Sequence, residues 1–103
     1  MFRGILSTIY IEKKKNVSTK KLLKYLKEFY KNDKFIRIKK MNKLLSTNDV
    51  INTNYCDISI CESNIKNKII ILSAIDNLIK GGAGQAIQNL NNKYNFKTTE
   101  GLI

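Results

Sequence analysis

The alternation of apolar and polar side chains predicts a strand at the amino end of the chain and two more in its second half. Residues Phe2–Glu12 are largely apolar on both faces, which indicates a strand near the middle of a sheet. Residues Tyr55–Glu62 alternate at the same period, and a short polar connection leads to the apolar run Lys68–Asp76. The last two segments predict an antiparallel hairpin whose second strand is buried on both faces.

Two further segments follow the helical period. Residues Lys20–Lys31 place leucine and aromatic side chains on one side and lysines on the other, with Ser18 or Thr19 available as the amino-terminal cap. From about Gly82 to Tyr94, an apolar stripe opposes a face of Gln and Asn side chains. The stripe consists of Ala83, Ala86, Ile87, Leu90 and Tyr94.

Between the first helix and the hairpin lies a short predicted strand, Phe35–Lys40, in which Arg37 and Lys39 point outward. The polar stretch Met41–Asn54 is expected to form a loop with at most one helical turn. The resulting order, β-α-β-β-β-α, predicts an α+β domain: a mixed or antiparallel sheet with helices packed on one face.

The length of 103 residues suits one domain. No apolar run approaches the roughly 20 residues that a membrane-spanning helix needs. The amino end also does not resemble a signal peptide, since its apolar residues precede its charges and alternate at strand period. We therefore expect a cytoplasmic protein with no membrane partner.

The formal charge of +11 raises the question of a nucleic-acid partner, because basic side chains that neutralise phosphates supply most non-specific affinity. Only Arg3 and Arg37 among the 19 basic residues are arginine, the side chain preferred for bidentate phosphate and guanine contacts. The lysines are spread over every segment, and Asn and Ile are also abundant. This composition favours a solvated basic surface, and we expect no nucleic-acid partner.

The two cysteines, Cys56 and Cys61, are five residues apart on one predicted strand, so their side chains point to opposite faces and cannot easily form a disulfide. The chain contains no histidine and no pair of cysteines at metal-binding spacing. We therefore expect no metal site, and interpret each cysteine as a small apolar packing residue.

The segment "KGGAG" before the last predicted helix concentrates three glycines. Its spacing and its position near the carboxyl end exclude a dinucleotide-binding fingerprint. Three interpretations remain: a turn, close packing of two backbones, or a ligand lying against the helix amino terminus. Gln85 and Asn89, one turn apart, would offer amide groups to such a ligand, and the residues alone leave the choice open.

Three stretches resemble, in the correct order, the carboxyl-terminal part of the N-acetyl-gamma-glutamyl-phosphate reductase family. They are "RGILSTIYI", "TNYCDI" and "SAIDNLIKGGAGQAIQNLN". The likeness extends over essentially the whole chain, since "FYKNDKFIRI" and "STNDVINTN" fit the same family between them.

The resemblance implies an arginine-biosynthesis enzyme that interconverts N-acetylglutamyl phosphate and its semialdehyde with NADP as cofactor. Such enzymes resemble glyceraldehyde-3-phosphate dehydrogenase in plan, with an amino-terminal Rossmann domain and a carboxyl-terminal α+β domain that carries catalysis and subunit contacts. Residues 1–103 would then form part of that second domain, with the Rossmann portion as its partner and a homo-oligomer as its assembly.

The resemblance also suggests roles for particular residues. The nucleophilic cysteine and the histidine of the family belong to parts that precede Arg3, so we expect no catalysis by this chain alone. Family motifs place Gln85 against the nicotinamide carboxamide, and the backbone of Gly82, Ala83 and Gly84 beside the nicotinamide ring. Arg3 is a candidate partner for the substrate's carboxylate or phosphate, although a surface ion pair explains it equally well.

Two other hypotheses remain. The chain is either a free-standing basic domain that binds a partner without catalysis, or an assembly piece that works beside a separately encoded amino-terminal half. If it is instead part of the reductase, it exposes apolar surface that the Rossmann domain covers in the whole enzyme, and we expect it to self-associate.

Overall fold

The computed structural model describes residues 2–102, which form one four-stranded sheet and two α-helices. The strands are β1 (Gly4–Glu12), β2 (Ile36–Ile38), β3 (Cys56–Glu62) and β4 (Lys68–Asp76), and the helices are α1 (Thr19–Phe29) and α2 (Gly84–Lys93). The predicted α+β class and the order β-α-β-β-β-α are confirmed.

The strands lie in the order β1-β4-β3-β2 across the sheet. Strand β4 pairs antiparallel with both β1 and β3, whereas β2 runs parallel to β3, so the sheet is mixed. The predicted hairpin is therefore present as β3 and β4. Because β4 has a strand on each side, its backbone groups are paired along both edges.

The prediction that the first strand lies near the middle of the sheet is wrong for this chain. Among the described residues, strand β1 pairs only with β4 and forms one edge of the sheet. Its apolar side chains are correspondingly exposed on both faces, with Ile9 44% exposed and Tyr10 73% exposed. The apolar pattern of β1 was identified correctly, but within residues 2–102 no second strand lies beside β1.

The predicted outward orientation of Arg37 and Lys39 is also wrong. Both cations form ion pairs with the buried carboxylate of Asp57, and the Arg37 Nη2 to Asp57 Oδ2 distance is 3.0 Å. The parallel register places Arg37 directly beside Asp57. An adjacent strand thus supplies a buried counter-ion that the alternation of β2 alone does not reveal.

Helix α1 packs on one face of the sheet. The hydroxyl of Ser18 caps α1 by accepting a hydrogen bond from the Lys21 backbone N–H at 3.1 Å. Leucines of α1 and isoleucines of the sheet line a small apolar cavity of about 170 Å³. The sheet residues are Ile11, Ile60, Ile69 and Ile71. Towards α2, the Ile75 side chain on this face packs against Gly81.

The most buried apolar residues lie in the two central strands, β3 and β4, and in the segments that precede β2 and β3. They are Phe35, Val50, Ile60, Ile69 and Ala74. The loop contains one short 3₁₀ turn at Thr47–Asp49, as the polar stretch predicted. Neither helix within residues 2–102 has the length and apolar character needed to span a bilayer.

Candidate functional site at the amino end of α2

A buried carboxylate, Asp76, organises the end of β4. It accepts hydrogen bonds from the backbone N–H groups of Asn52 at 2.7 Å, Leu78 at 2.9 Å and Ile79 at 3.3 Å. Arg3 Nε donates a further bond at 3.0 Å. Burial by itself raises the pKa of Asp76, but these hydrogen bonds outweigh burial and hold the pKa below its ordinary value. The site is therefore built around a charged, fully bonded anion.

Arg3 is thus an ion-pair partner of a buried carboxylate and not of a surface one. Its side chain is about one-quarter exposed, and the bond to Asp76 uses Nε. Within residues 2–102, neither Nη atom of Arg3 makes a hydrogen bond. The guanidinium consequently keeps donors that can face an anionic group.

Gly84 is explained by packing inside the chain. A Cβ atom at this position would lie 2.3 Å from Asn54 Oδ1 and 2.6 Å from the Ile79 carbonyl oxygen. Gly84 is buried, whereas Gly82 and Ala83 are exposed. Close packing accounts for Gly84, and the exposed backbone of Gly82 and Ala83 is free for contact from outside.

Polar side chains connect the loop before β3 to the first turns of α2. Gln88 Oε1 accepts hydrogen bonds from Lys80 Nζ at 2.8 Å and from Asn54 Nδ2 at 3.1 Å. Burial lowers the pKa of Lys80, whose ammonium also lies 5.6 Å from the centre of the Phe35 ring. Asn54 is 1% exposed, and its Oδ1 atom has no hydrogen-bond partner within the described part of the chain.

Gln85 lies on the half-buried part of α2 close to this cluster. Its Nε2 donates to Asn89 Oδ1 at 2.9 Å, which joins the two amides that the sequence singled out. An open cavity of about 310 Å³ lies beside the start of the helix, and its walls include Asn54, Ala83 and Gly84. The cavity wall, the exposed backbone and the Gln85 amide therefore lie at the same end of α2.

The apolar stripe of α2 is exposed, although the sequence predicts that this helix packs on the sheet. Ile87 is 39% exposed, Leu90 51% and Tyr94 56%. The inner side of the helix is polar, since buried Asn91 donates to the carbonyl oxygens of Thr98 at 3.1 Å and Glu100 at 2.9 Å. The tail of the chain covers the side of the helix that carries Asn91, while the apolar stripe stays exposed beside the cavity that Ile87 helps to line.

The two cysteines are free and lie on opposite faces of β3, as predicted. Cys56 is half-buried with its Sγ 3.4 Å from Ser73 Oγ, and Cys61 is buried. In the described range 2–102, no three His, Cys, Asp or Glu side chains converge as metal ligands would.

Three residues of this site escaped the sequence analysis: Asn54, Asp76 and Lys80. Asp76 closes an apolar strand, and a lone acidic residue at that position was the available signal. Asn54 belongs to a stretch that reads only as a loop, and its partner Gln88 is 34 residues away. Their roles depend on tertiary contacts with no local pattern.

A comparison with protein families gives one match across most of the chain. Residues 1–77 match the model of the semialdehyde dehydrogenase dimerisation domain. The matched region covers all four strands and ends just before the glycine segment.

Curated relatives resemble the whole chain. The N-acetyl-gamma-glutamyl-phosphate reductases of Staphylococcus aureus strains USA300 and Mu50 are each 45% identical over 102 residues. The alignments cover 99% of this chain and 30% of each relative. The chain thus spans less than a third of the length of these relatives.

Proposed function

The chain belongs to the semialdehyde dehydrogenase dimerisation-domain family, and on that premise we propose that it is the carboxyl-terminal part of an N-acetylglutamyl-phosphate reductase of arginine biosynthesis. The observation that carries the proposal is the 45% identity, over 99% of the chain, to proteins named N-acetyl-gamma-glutamyl-phosphate reductase. We also propose that the protein acts in the cytoplasm.

In this proposal the nucleophile and the proton-transferring histidine lie outside the chain, which contains no histidine. Cys56 and Cys61 lie within strand β3, and no histidine of this chain can serve as their base. The chain alone is therefore inactive, and its contribution is to bind and to orient.

NADP is the proposed cofactor, and when bound it supplies the hydride. The residues at the start of α2 fit one wall of its nicotinamide site. The exposed backbone of Gly82 and Ala83 admits a flat ring, and the Gln85 amide can both donate to and accept from a carboxamide. Gly84 contributes indirectly, since its missing side chain lets Asn54 pack beneath that wall.

Arg3 is the proposed contact for the anionic substrate. Asp76 holds the guanidinium through Nε, which leaves the Nη donors to bind a carboxylate or a phosphate. The ion pair and the substrate contact therefore use different nitrogen atoms of one side chain.

The exposed stripe of α2 is the proposed contact with the amino-terminal Rossmann portion. Ile87, Leu90 and Tyr94 form an apolar face that a monomeric soluble domain rarely leaves uncovered. A second contact, between copies of the domain, agrees with the word dimerisation in the family's description. The assembled enzyme is accordingly a homo-oligomer of longer chains.

A chimera tests the proposal: this chain replaces the matching 30% of the S. aureus USA300 reductase. We expect the chimera to bind NADPH, measured by cofactor fluorescence, and to reduce the acyl phosphate. Gln85→Ala should raise the Kd for NADPH at least about tenfold, which corresponds to a loss of roughly 1.4 kcal/mol in binding free energy.

Asn89→Ala is the matched control, because it removes the same Gln85 to Asn89 hydrogen bond but keeps the Gln85 amide. Equal losses in both variants would refute the nicotinamide role of Gln85. A folded chimera with no reductase activity would refute the proposed function itself. No feature of residues 2–102 favours the alternative of a free-standing basic binding domain.

A further inference from the structure

We propose that the free edge of β1 binds a β-strand from the part of the reductase that this chain does not span, which makes β1 an interior strand of a larger sheet. The inference rests on the proposed function, because the neighbouring strand comes from that enzyme. It concerns a surface separate from the start of α2.

The side chains of β1 suit an interior position. On one face Ile5 is 39% exposed and Ile9 44%, and on the other Leu6 is 42% exposed and Tyr10 73%. Solvent-facing sheets normally place polar residues on one face, whereas strands with neighbours and layers on all sides are apolar on both. The two exposed apolar faces indicate missing cover at this edge.

The edge also lacks the features that normally prevent strand addition. Its nine residues pair with β4 in unbroken register, so no bulge interrupts it. The chain contains no proline, and no charged residue occurs between Gly4 and Ile11. Natural proteins protect exposed edges with prolines, bulges or inward-pointing charges, and long apolar edges without them pair with another strand.

The hydrogen-bonding pattern of β1 shows which of its backbone N–H and C=O groups are available to a partner strand. Two hydrogen bonds continue the ladder beyond the strand, from Asn77 N to Arg3 O at 2.9 Å and from Lys13 N to Asn67 O at 2.7 Å. Both β1-side residues are odd-numbered, and antiparallel bonding alternates along the strand. Even-numbered residues such as Thr8 consequently direct their N–H and C=O groups away from β4, towards the free edge.

The occupant is a strand of the same enzyme and not a second β1. Antiparallel pairing of two β1 edges would bring Lys13, Lys14 and Lys15 of one copy next to Arg3 of the other. Each copy carries a formal charge of +11, which adds repulsion. The relatives supply ample other polypeptide, since this chain accounts for only 30% of their length.

Amide hydrogen exchange in the chimera described above tests the inference. The inward amides of Ser7 and Ile9 are the internal reference, because they bond to β4 with or without a partner strand. We expect the outward amides of Leu6, Thr8 and Tyr10 to exchange as slowly as this reference in the chimera. Fast exchange at the outward amides in a folded chimera would overturn the inference.

A proline substitution provides a second measurement. Thr8→Pro removes one outward N–H and leaves every hydrogen bond between β1 and β4 intact, a substitution that edge strands tolerate. Thr8→Ala is the matched control, because it shortens the same exposed side chain and retains the N–H. In this chain alone the two variants should melt at similar temperatures, whereas in the chimera Thr8→Pro should melt several degrees lower than Thr8→Ala.

The outcomes separate the inference from the proposed function. An active chimera with fast outward amides keeps the function and overturns the strand. A folded but inactive chimera with protected outward amides overturns the function and supports an added strand. Outward amides that become protected in this chain alone as its concentration rises would instead identify a second copy as the occupant, and would overturn the inference.

Discussion

Strands β1 and β4 have nearly the same apolar pattern but different surroundings. Both are nine residues long and apolar on both faces. Within residues 2–102, strand β4 lies between two strands and buries Ile69 to 1% exposure, whereas β1 has one neighbour and leaves Ile9 44% exposed. A two-faced apolar pattern suits a strand with neighbours on both sides, and in the described part of the chain β4 meets that condition and β1 does not.

The different surroundings of β1 and β4 predict where the chain gains its stability. Substitutions in β4 and at its ends should unfold the domain, and substitutions on the outer edge of β1 should have small effects until a partner is present. Three predictions follow this gradient from the largest expected effect to the smallest.

The largest effect is expected at the end of β4. Asp76→Asn removes the charge that pairs with Arg3 and weakens three backbone hydrogen bonds, so we expect a loss of about 3 kcal/mol in unfolding free energy at neutral pH. Because the folded pKa of Asp76 lies below its unfolded value, this stabilisation is complete above the unfolded pKa and disappears as the pH falls through the folded one.

Urea unfolding at neutral and at acidic pH measures this effect. The difference between the unmodified chain and Asp76→Asn should shrink as the pH falls below about 4. A difference that stays constant across that range would contradict the assignment of Asp76 as the buried anion of the site.

The second effect contrasts the centre and the edge directly. Ile69→Ala in β4 empties a fully buried position and should cost about 3 kcal/mol. Ile9→Ala in β1 removes a side chain that is 44% exposed and should cost about 1 kcal/mol. Equal losses, measured in the same urea titration, would show that β1 is not a free edge.

The third prediction concerns the glycines that follow β4. Gly84→Ala places a Cβ atom 2.3 Å from Asn54 Oδ1 and should destabilise the domain by about 2 kcal/mol. Gly82→Ala meets only the Asn77 carbonyl oxygen at 3.3 Å and should cost less. Thermal melting compares the two, and a larger loss for Gly82→Ala would contradict the packing of Asn54 against α2.

Local patterns were sufficient for most of the fold. Strand β4 has the predicted bounds Lys68–Asp76, and the Ser18 cap and the β3–β4 hairpin follow from short stretches of sequence. These elements are specified by neighbours in the chain, so a periodicity or a capping residue is enough to identify them.

The failures share a different cause. The outward stripe of α2, the edge position of β1 and the pairing of Arg37 with Asp57 all depend on which surfaces meet in three dimensions. In the first two cases the apolar pattern favours burial, and residues 2–102 do not provide the covering surface. The predicted contacts of Gln85 and Arg3 concern groups outside this chain and stay predictions.

The amide of Thr8 and that of Leu72, its register partner across β1 and β4, together show whether the outer side of β1 is an open edge. Amide hydrogen exchange of this chain alone measures both positions in one experiment. We expect Leu72, enclosed between two strands, to exchange only on unfolding, and Thr8, directed to the free edge, to exchange rapidly. Equal protection of the two amides in a dilute monomeric sample would show that β1 has no open edge.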